Sequence, residues 1–316
     1  MDSQISFKFS DILSSLDHIK GGIPLIKLSR RLRLGSHKSV FFGPSNILFD
    51  IREYDEDRDP SNLIVWSLYD PDEGIIWAMK TIEEHEVPIR FFVDLSSSAI
   101  DAGIDHSKRR MLLEAVGFIG TTGARYQDQI GLTGFTDRIV LNLPPKGGVF
   151  SFVHMLKTLY DFMERHPADG KKINVRKTDF AVMLDFIRRT CDRQCFIPVI
   201  SDFVGFERML ASNQSLRLLK FIASKHEVIF IFLDNPLEVA SMAGPGSLRL
   251  ENIETGDQIT ISRKQAHEIG REIRRQRRAL RKELRKIGIY SVVLEPGKQI
   301  NRLRKFFMIR HKLLRF

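Results

Sequence analysis

The sequence predicts an α/β fold: a mostly parallel sheet with helices on both faces, behind an irregular N-terminal extension that is partly β and packs on the main domain. Three observations carry that prediction. From Val87 onward, short apolar runs rich in Val, Ile and Phe alternate with segments of helical spacing. No internal repeat or low-complexity tract breaks the alternation, which argues against a solenoid. A chain of 316 residues at 43% hydrophobic content also has enough apolar surface for a large core. The expected division is residues 1–86 for the extension and residues 87–316 for the α/β domain, including a basic C-terminal helical region.

In the extension, basic "KLSRRLRLGSHKS" gives way to turn-rich "FFGPSN", acidic "REYDEDRDPSN" and apolar "LIVWSLY". The domain proper begins with a strand from Ile89 to Val93 and a helix around Asp105 to Gly120. "QIGLTGF" and "RIVLNL" then read as two strands about a turn. "GGVFSFVHMLKTLYDFMERH" has helical spacing up to Pro167, and "KTDFAVMLDFIRRTC" offers another helix with Thr178 as its candidate N-cap. "CFIPVIS" is a strand that stops at Asp202. A helix near Glu207 to Ser224, the strand "EVIFIFL", a hairpin in "SLRLENIETGDQITIS", a basic helix, the strand "YSVVL" and a last helix "INRLRKFFMIRHKLL" complete the order.

Ligands of parallel sheets gather where strands give way to loops. Asp94 and Asp202 both stand at such ends. In "VPIRFFVDLSSSAID" the apolar run breaks into Asp94, Ser96 and Ser98, a D-x-S-x-S pattern. Residues at i, i+2 and i+4 converge on one point when a loop curls around an ion, and magnesium takes about six oxygens. The competing account is a helix N-cap, since Ser and Asp both accept bonds from free helical amides. Spacing alone leaves the two open.

Charge is uneven. Arg263 to Phe316 holds 18 Lys or Arg against 4 Asp or Glu, while the rest of the chain holds 31 against 35. A basic tail on a mildly acidic body points to an anionic partner, whether nucleic acid, an acidic protein face or a membrane surface. There is no stretch of about 18 apolar residues and no secretion signal at the start, so a cytoplasmic location is expected. Cys191 and Cys195 in "CDRQC" give no four-ligand metal set and read as reduced thiols. "NQS" at Asn213 matches a glycosylation acceptor by accident in an unexported chain.

The segment from Gly35 to Ser98 carries a longer pattern. Gly35, His37, Ser39, Gly43, Phe49, Arg52, Tyr54, Trp66 and Ser67 precede the D-x-S-x-S loop; "DQIGLTGFTDRIVLNLPPKGG", "VISDF", "ENIETGDQITI" and "LRKFFMIRHKL" follow it. In that order they resemble the MoxR-associated von Willebrand factor A-like family, the domain of unknown function numbered 58. The resemblance implies a Rossmann-like, von Willebrand factor A-like fold with a metal-ion-dependent adhesion site. Asp94, Ser96, Ser98 and Asp202 match that site's ligands, with Mg2+, Mn2+ or Ca2+ as the ion. A threonine from another loop usually contributes; the expected loop here is "PPKGGVFS", where Val149 takes the threonine's place and Ser151 is the possible additional ligand. The sequence also departs upstream, with "DEDRDP" in place of a Gly-Asp-Asp turn and Val65 where an aspartate commonly precedes the tryptophan.

The leading reading is therefore a non-enzymatic interaction module in which a partner carboxylate completes the metal's shell. The resemblance implies a MoxR-type AAA+ ATPase as partner, with this chain as adapter or chaperone-like accessory; "PPKGGVFSF" lacks the Lys-Ser/Thr ending of a phosphate loop. A metal-dependent phosphohydrolase with Asp94 as nucleophile would want an acid/base two residues on, where Ser96 stands. Nucleic-acid binding through "REIRRQRRALRKELRK", residues 271–286, is the other alternative. Against it, Ile273, Leu280, Leu284 and Ile287 recur at helical spacing and would face the sheet of an ordinary amphipathic helix. His85 lacks the second histidine of a zinc-protease motif, and His154 and His166 have no partner at ligand spacing.

Overall fold

The structure, a computed structural model, describes residues 8–17, 48–55, 61, 64–69, 74–81, 87–100, 107–125, 128–164, 177–234, 247–251 and 258–313. It divides into two compact units, one of Met1–Leu28 with Val87–Phe316 and one of Ser29–Glu86. Within the larger unit, α1 (Phe9–Asp17) buries Ile12 and Leu16 in the core. The smaller unit holds an antiparallel pair, β1 (Leu48–Glu53) with β2 (Trp77–Thr81), and a single tight turn at Trp66–Leu68 that leaves Trp66 exposed. Gly35 to Gly43, His85 and His166 lie outside the described residues.

In the larger unit six strands form one sheet in the order β10-β7-β6-β3-β4-β5. These are β3 (Ile89–Asp94), β4 (Ile130–Phe135), β5 (Ile139–Lys146), β6 (Phe196–Ser201), β7 (Glu227–Leu233) and β10 (Tyr290–Leu294). All pairs are parallel except β4 with β5, so the sheet is mixed at one edge. Pro144 and Pro145 sit in β5, and an edge strand tolerates residues that cannot donate to a ladder. Gly131 on β4 is required by that pairing, since a Cβ there would lie 2.8 Å from the Pro145 nitrogen.

Strand side chains alternate between two buried faces. On β7, Ile229, Ile231 and Leu233 join a core with α1, α3 (Ser107–Arg125), α4 (Val149–Glu164) and α9 (Gln299–Leu313). Val228, Phe230 and Phe232 join the opposite core with α5 (Phe180–Thr190), α6 (Phe206–Leu210), α7 (Asn213–Lys225) and α8 (Arg263–Lys286). Both faces being covered explains why the strands are apolar throughout rather than half polar.

Three local expectations change. The helix foreseen from Glu207 to Ser224 is two helices, α6 and α7, because Ser212 leaves the helical conformation to accept from the Ser215 amide as N-cap. Of the expected apolar stripe on α8, Leu280 and Leu284 are buried while Ile273 is 39% exposed. The cap of α5 is Asp179, which accepts from the Ala181 amide, rather than Thr178. α8 starts with a full capping box between Ser262 and Gln265. A hairpin, β8 (Ser247–Glu251) with β9 (Gln258–Ser262), precedes it as expected. Among the described residues no helix is long and apolar enough to cross a membrane.

Candidate metal centre

Strand register builds the site. Val93 of β3 is level with Ile200 of β6, so the next residues, Asp94 and Ser201, stand side by side at the carboxyl edge of the sheet. The Ser201 hydroxyl donates to Asp94 Oδ2 at 2.7 Å. One residue on, Asp202 Oδ1 accepts from the Val204 amide at 3.1 Å. After Asp94 the chain curls: the Ser96 amide donates to Asp94 Oδ1 at 3.0 Å, and the Ser96 and Ser98 hydroxyls stand 3.2 Å apart. Ser96 Oγ also accepts from the Ala99 amide, at the start of α2 (Ser97–Ile100). The helix-cap account and the convergent-oxygen account thus hold together at one residue.

Thr178 completes the cluster, and sequence reasoning missed it. Its hydroxyl donates to Asp94, at 3.3 Å from Oδ1 and 3.2 Å from Oδ2. The signal was the pair Thr178-Asp179 at a helix start: two cap-type residues stand there, only one can cap, and the other is left to point elsewhere.

Ser151 goes elsewhere too. Lys146, at the end of β5, is level with Ile130, which is level with Ile89, the first residue of β3. Asp94 is the last residue of that strand, about 17 Å further along at strand rise. The "PPKGGVFS" loop with Val149 and Ser151 therefore belongs to the opposite edge of the sheet, whereas the Thr178 hydroxyl stands at Asp94.

The cluster is enclosed. Asp94 and Ser96 are fully buried and Asp202 is 5% exposed, while Ser98 and Thr178 are half-buried. Burial and the nearby Asp202 carboxylate push the Asp94 carboxyl up to about 6, against the bonds from Ser201 and Ser96 that favour its charged form. Among the described residues the one buried ammonium is Lys108, near the start of α3, whose Nζ lies 2.9 Å from the Ser98 carbonyl and 3.4 Å from Asp202 Oδ2.

Among the described residues, two carboxylates, four hydroxyls and one ammonium leave an unbalanced negative charge among oxygen donors. That composition fits a hard divalent cation, which prefers oxygen and is held by carboxylate and hydroxyl groups. It does not fit a soft metal: among the described residues no three His, Cys, Asp or Glu side chains come together.

Elsewhere, both cysteines are free and buried. A hydrogen bond from Cys195 and the Arg90 charge pull the Cys191 thiol down to about 7 against its burial. On α8, Arg271, Arg274, Arg275 and Arg278 line one shallow groove. His154 is exposed on α4.

The model of a family described as "Protein of unknown function DUF58" matches residues 51–283. No curated protein matches the sequence. Among solved structures, the conserved hypothetical protein BatB from Bacteroides thetaiotaomicron is 14% identical, with 72% of this chain and 99% of that chain covered and a TM-score of 0.39. Proximal thread matrix protein 1 from the mussel byssus is 16% identical over 47% of this chain and 37% of its own, with a TM-score of 0.35. An uncharacterized membrane spanning protein from Vibrio fischeri is 14% identical over 72% of this chain and 98% of its own, with a TM-score of 0.23.

Proposed function

The chain belongs to the DUF58 family, and from that premise we propose that it is a non-enzymatic binding module of von Willebrand factor A-like fold with a metal-ion-dependent adhesion-type site. The observation that carries this reading is the convergence of Asp94, Ser96, Ser98, Thr178 and Asp202 at one sheet edge. A divalent ion, Mg2+ in first place and Mn2+ or Ca2+ otherwise, would supply positive charge with room for a carboxylate from a partner.

The chain's own residues do the holding. Ser96, Ser98 and Thr178 offer neutral oxygens. Asp94 is fixed by donors on both of its oxygens, and Asp202 by the Val204 amide. A carboxylate so enclosed and so fully bonded suits a supporting role better than nucleophilic attack, which supports the binding reading over a phosphohydrolase. The partner in this reading is a MoxR-type AAA+ ATPase or its client, with this chain as adapter, working in the cytoplasm.

The test is affinity purification of the tagged protein from its own cell lysate in Mg2+ and in EDTA, with Asp94→Ala beside wild type. An AAA+ ATPase retained only by wild type in Mg2+ is the expected result. The same partners in every condition would sink the metal bridge.

The exposed arginines of α8 favour a second reading, docking of nucleic acid through residues 271–286. Affinity for duplex DNA that survives moderate salt and depends on base sequence would support it; binding lost as salt rises reports charge alone.

A further inference from the structure

We propose that Lys108 is the resident cation of the candidate metal centre: its ammonium holds the site together without metal, and a divalent ion that enters must compete with it. The second half of this proposal rests on the adhesion-site reading above.

Lysine is almost never fully buried unless paired, yet Lys108 is only 3% exposed. Its place on the helix is also unfavourable. It is the second residue of α3, where the helix dipole disfavours positive charge and a Lys adds nothing to the helix itself. The neighbouring Arg109 shows the structural alternative: it spends its donors on the Ile100 and Met163 carbonyls and ties α2 and α4 to α3. Lys108 instead reaches across the sheet edge to the two halves of the site. It meets the Ser98 carbonyl at 2.9 Å on the loop after β3, and Asp202 Oδ2 at 3.4 Å on the loop after β6.

Charge completes the argument. Asp202 has a cationic neighbour, whereas the donors on Asp94 are neutral: the Ser96 amide and the Ser201 and Thr178 hydroxyls. Lys108 thus balances one of two buried carboxylates and leaves the other for an incoming ion. At 3.4 Å the contact with Asp202 is a charge contact rather than a short hydrogen bond. A compact ammonium on a flexible stem can withdraw from it where a guanidinium fork would stay. An ion binding beside Asp202 meets the repulsion of a unit charge a few ångströms away, so wild-type affinity is held down.

The experiment uses the full chain as wild type, Lys108→Met, Asp94→Asn and the double variant Lys108→Met/Asp202→Asn. Melting is followed in EDTA, and Mn2+ alone is titrated calorimetrically. In EDTA, Lys108→Met should melt well below wild type, and the added Asp202→Asn should recover most of the loss. With Mn2+, Lys108→Met should bind at least about tenfold tighter than wild type, a factor worth about 1.4 kcal/mol, and Asp94→Asn should not bind.

Equal or weaker Mn2+ binding by Lys108→Met overturns the competition while leaving the metal reading standing. If neither wild type nor Lys108→Met takes up Mn2+, the metal reading fails and the EDTA series decides Lys108. Recovery in the double variant then keeps it as the site's permanent cation, and no recovery overturns it. Should Lys108→Met fail to fold in EDTA, folding restored by Mn2+ or by Asp202→Asn supports the proposal, and folding restored by neither overturns it.

Discussion

Phe203 adopts φ of +56°, the left-handed region that costs a non-glycine residue about 1–2 kcal/mol. It immediately follows Asp202, and its amide donates to the Ser201 hydroxyl that bonds Asp94. Its ring stacks against Phe230 at 4.6 Å and Phe180 at 5.8 Å, within a buried aromatic group that also includes Phe206 and Phe232. Packing therefore holds a backbone conformation that local preference opposes, and that conformation turns the chain where the site needs Asp202. Phe203→Ala should cost about 3–5 kcal/mol, the usual loss for an emptied aromatic site. Phe203→Gly should cost about 1 kcal/mol less, because glycine accepts the left-handed region without strain. Urea denaturation of the two variants measures the difference; an alanine variant more stable than the glycine one would show that the backbone stores no strain. Thr178 belongs to the same scale. Its partner, Asp94, is 84 residues away, so no local pattern announces the bond. Only the redundancy of two cap-type residues hinted at it.

At the scale of elements, α9 is tied to the start of β7 by a buried pair, Arg310 Nη2 with Glu227 Oε1 at 2.6 Å, both under a tenth exposed. Burial pushes the Glu227 carboxyl up and the Arg310 charge pulls it back only in part. Arg310 also lies over the Tyr290 ring, so a single residue joins α9 to β7 and β10. Arg310→Met should destabilise the protein by about 3–5 kcal/mol, since it strands a buried carboxylate. Adding Glu227→Gln should return most of that loss, and thermal melts of the three proteins test it. A single-variant cost under about 1 kcal/mol would mean that water reaches the pair. The strands β3, β6 and β7 were legible because burial on both faces writes continuous apolar runs. The break between α6 and α7 was not, because the polar run from Ser212 to Ser215 reads as one solvated turn of a continuous helix, although Ser212 is the cap that starts α7. The place of Ser151 was legible in principle: strands joined by the short link at 136–138 must run antiparallel, which carries the following loop to the far edge. The placing of Asp94 and Asp202 at one sheet edge was legible because each sits at or just after a strand end; the burial of Lys108 was not, since a lysine at a helix start looks like a solvated one.

For the molecule as a whole, two buried groups give pH dependences of opposite sign. Burial lowers the His226 imidazole to about 4 from an ordinary value of 6.5, with its Nδ1 accepting from the Cys195 amide. Between those limits the unfolded chain binds a proton that the native state refuses, so stability falls as pH falls. Asp94 is raised to about 6 from 3.8, so across that window the native state keeps a proton the unfolded chain has lost, and stability falls as pH rises. The two windows overlap between pH 4 and 6 with opposite signs, so in metal-free buffer the two effects oppose each other there. Single variants should uncover them. Relative to wild type, Asp94→Asn should gain stability progressively from pH 4 to 6 and hold that gain at pH 7. His226→Asn keeps an acceptor for the Cys195 amide and removes the titration, so its stability relative to wild type should be highest near pH 4 and decline towards pH 6.5. Urea midpoints in EDTA, taken as variant minus wild type at each pH, remove the contribution of the many surface charges. Two flat curves would show that neither group titrates as its surroundings dictate. Opposite slopes would show that the native state gives up stability at neutral pH to keep a buried carboxylate charged, a cost that a bound cation at that carboxylate would offset.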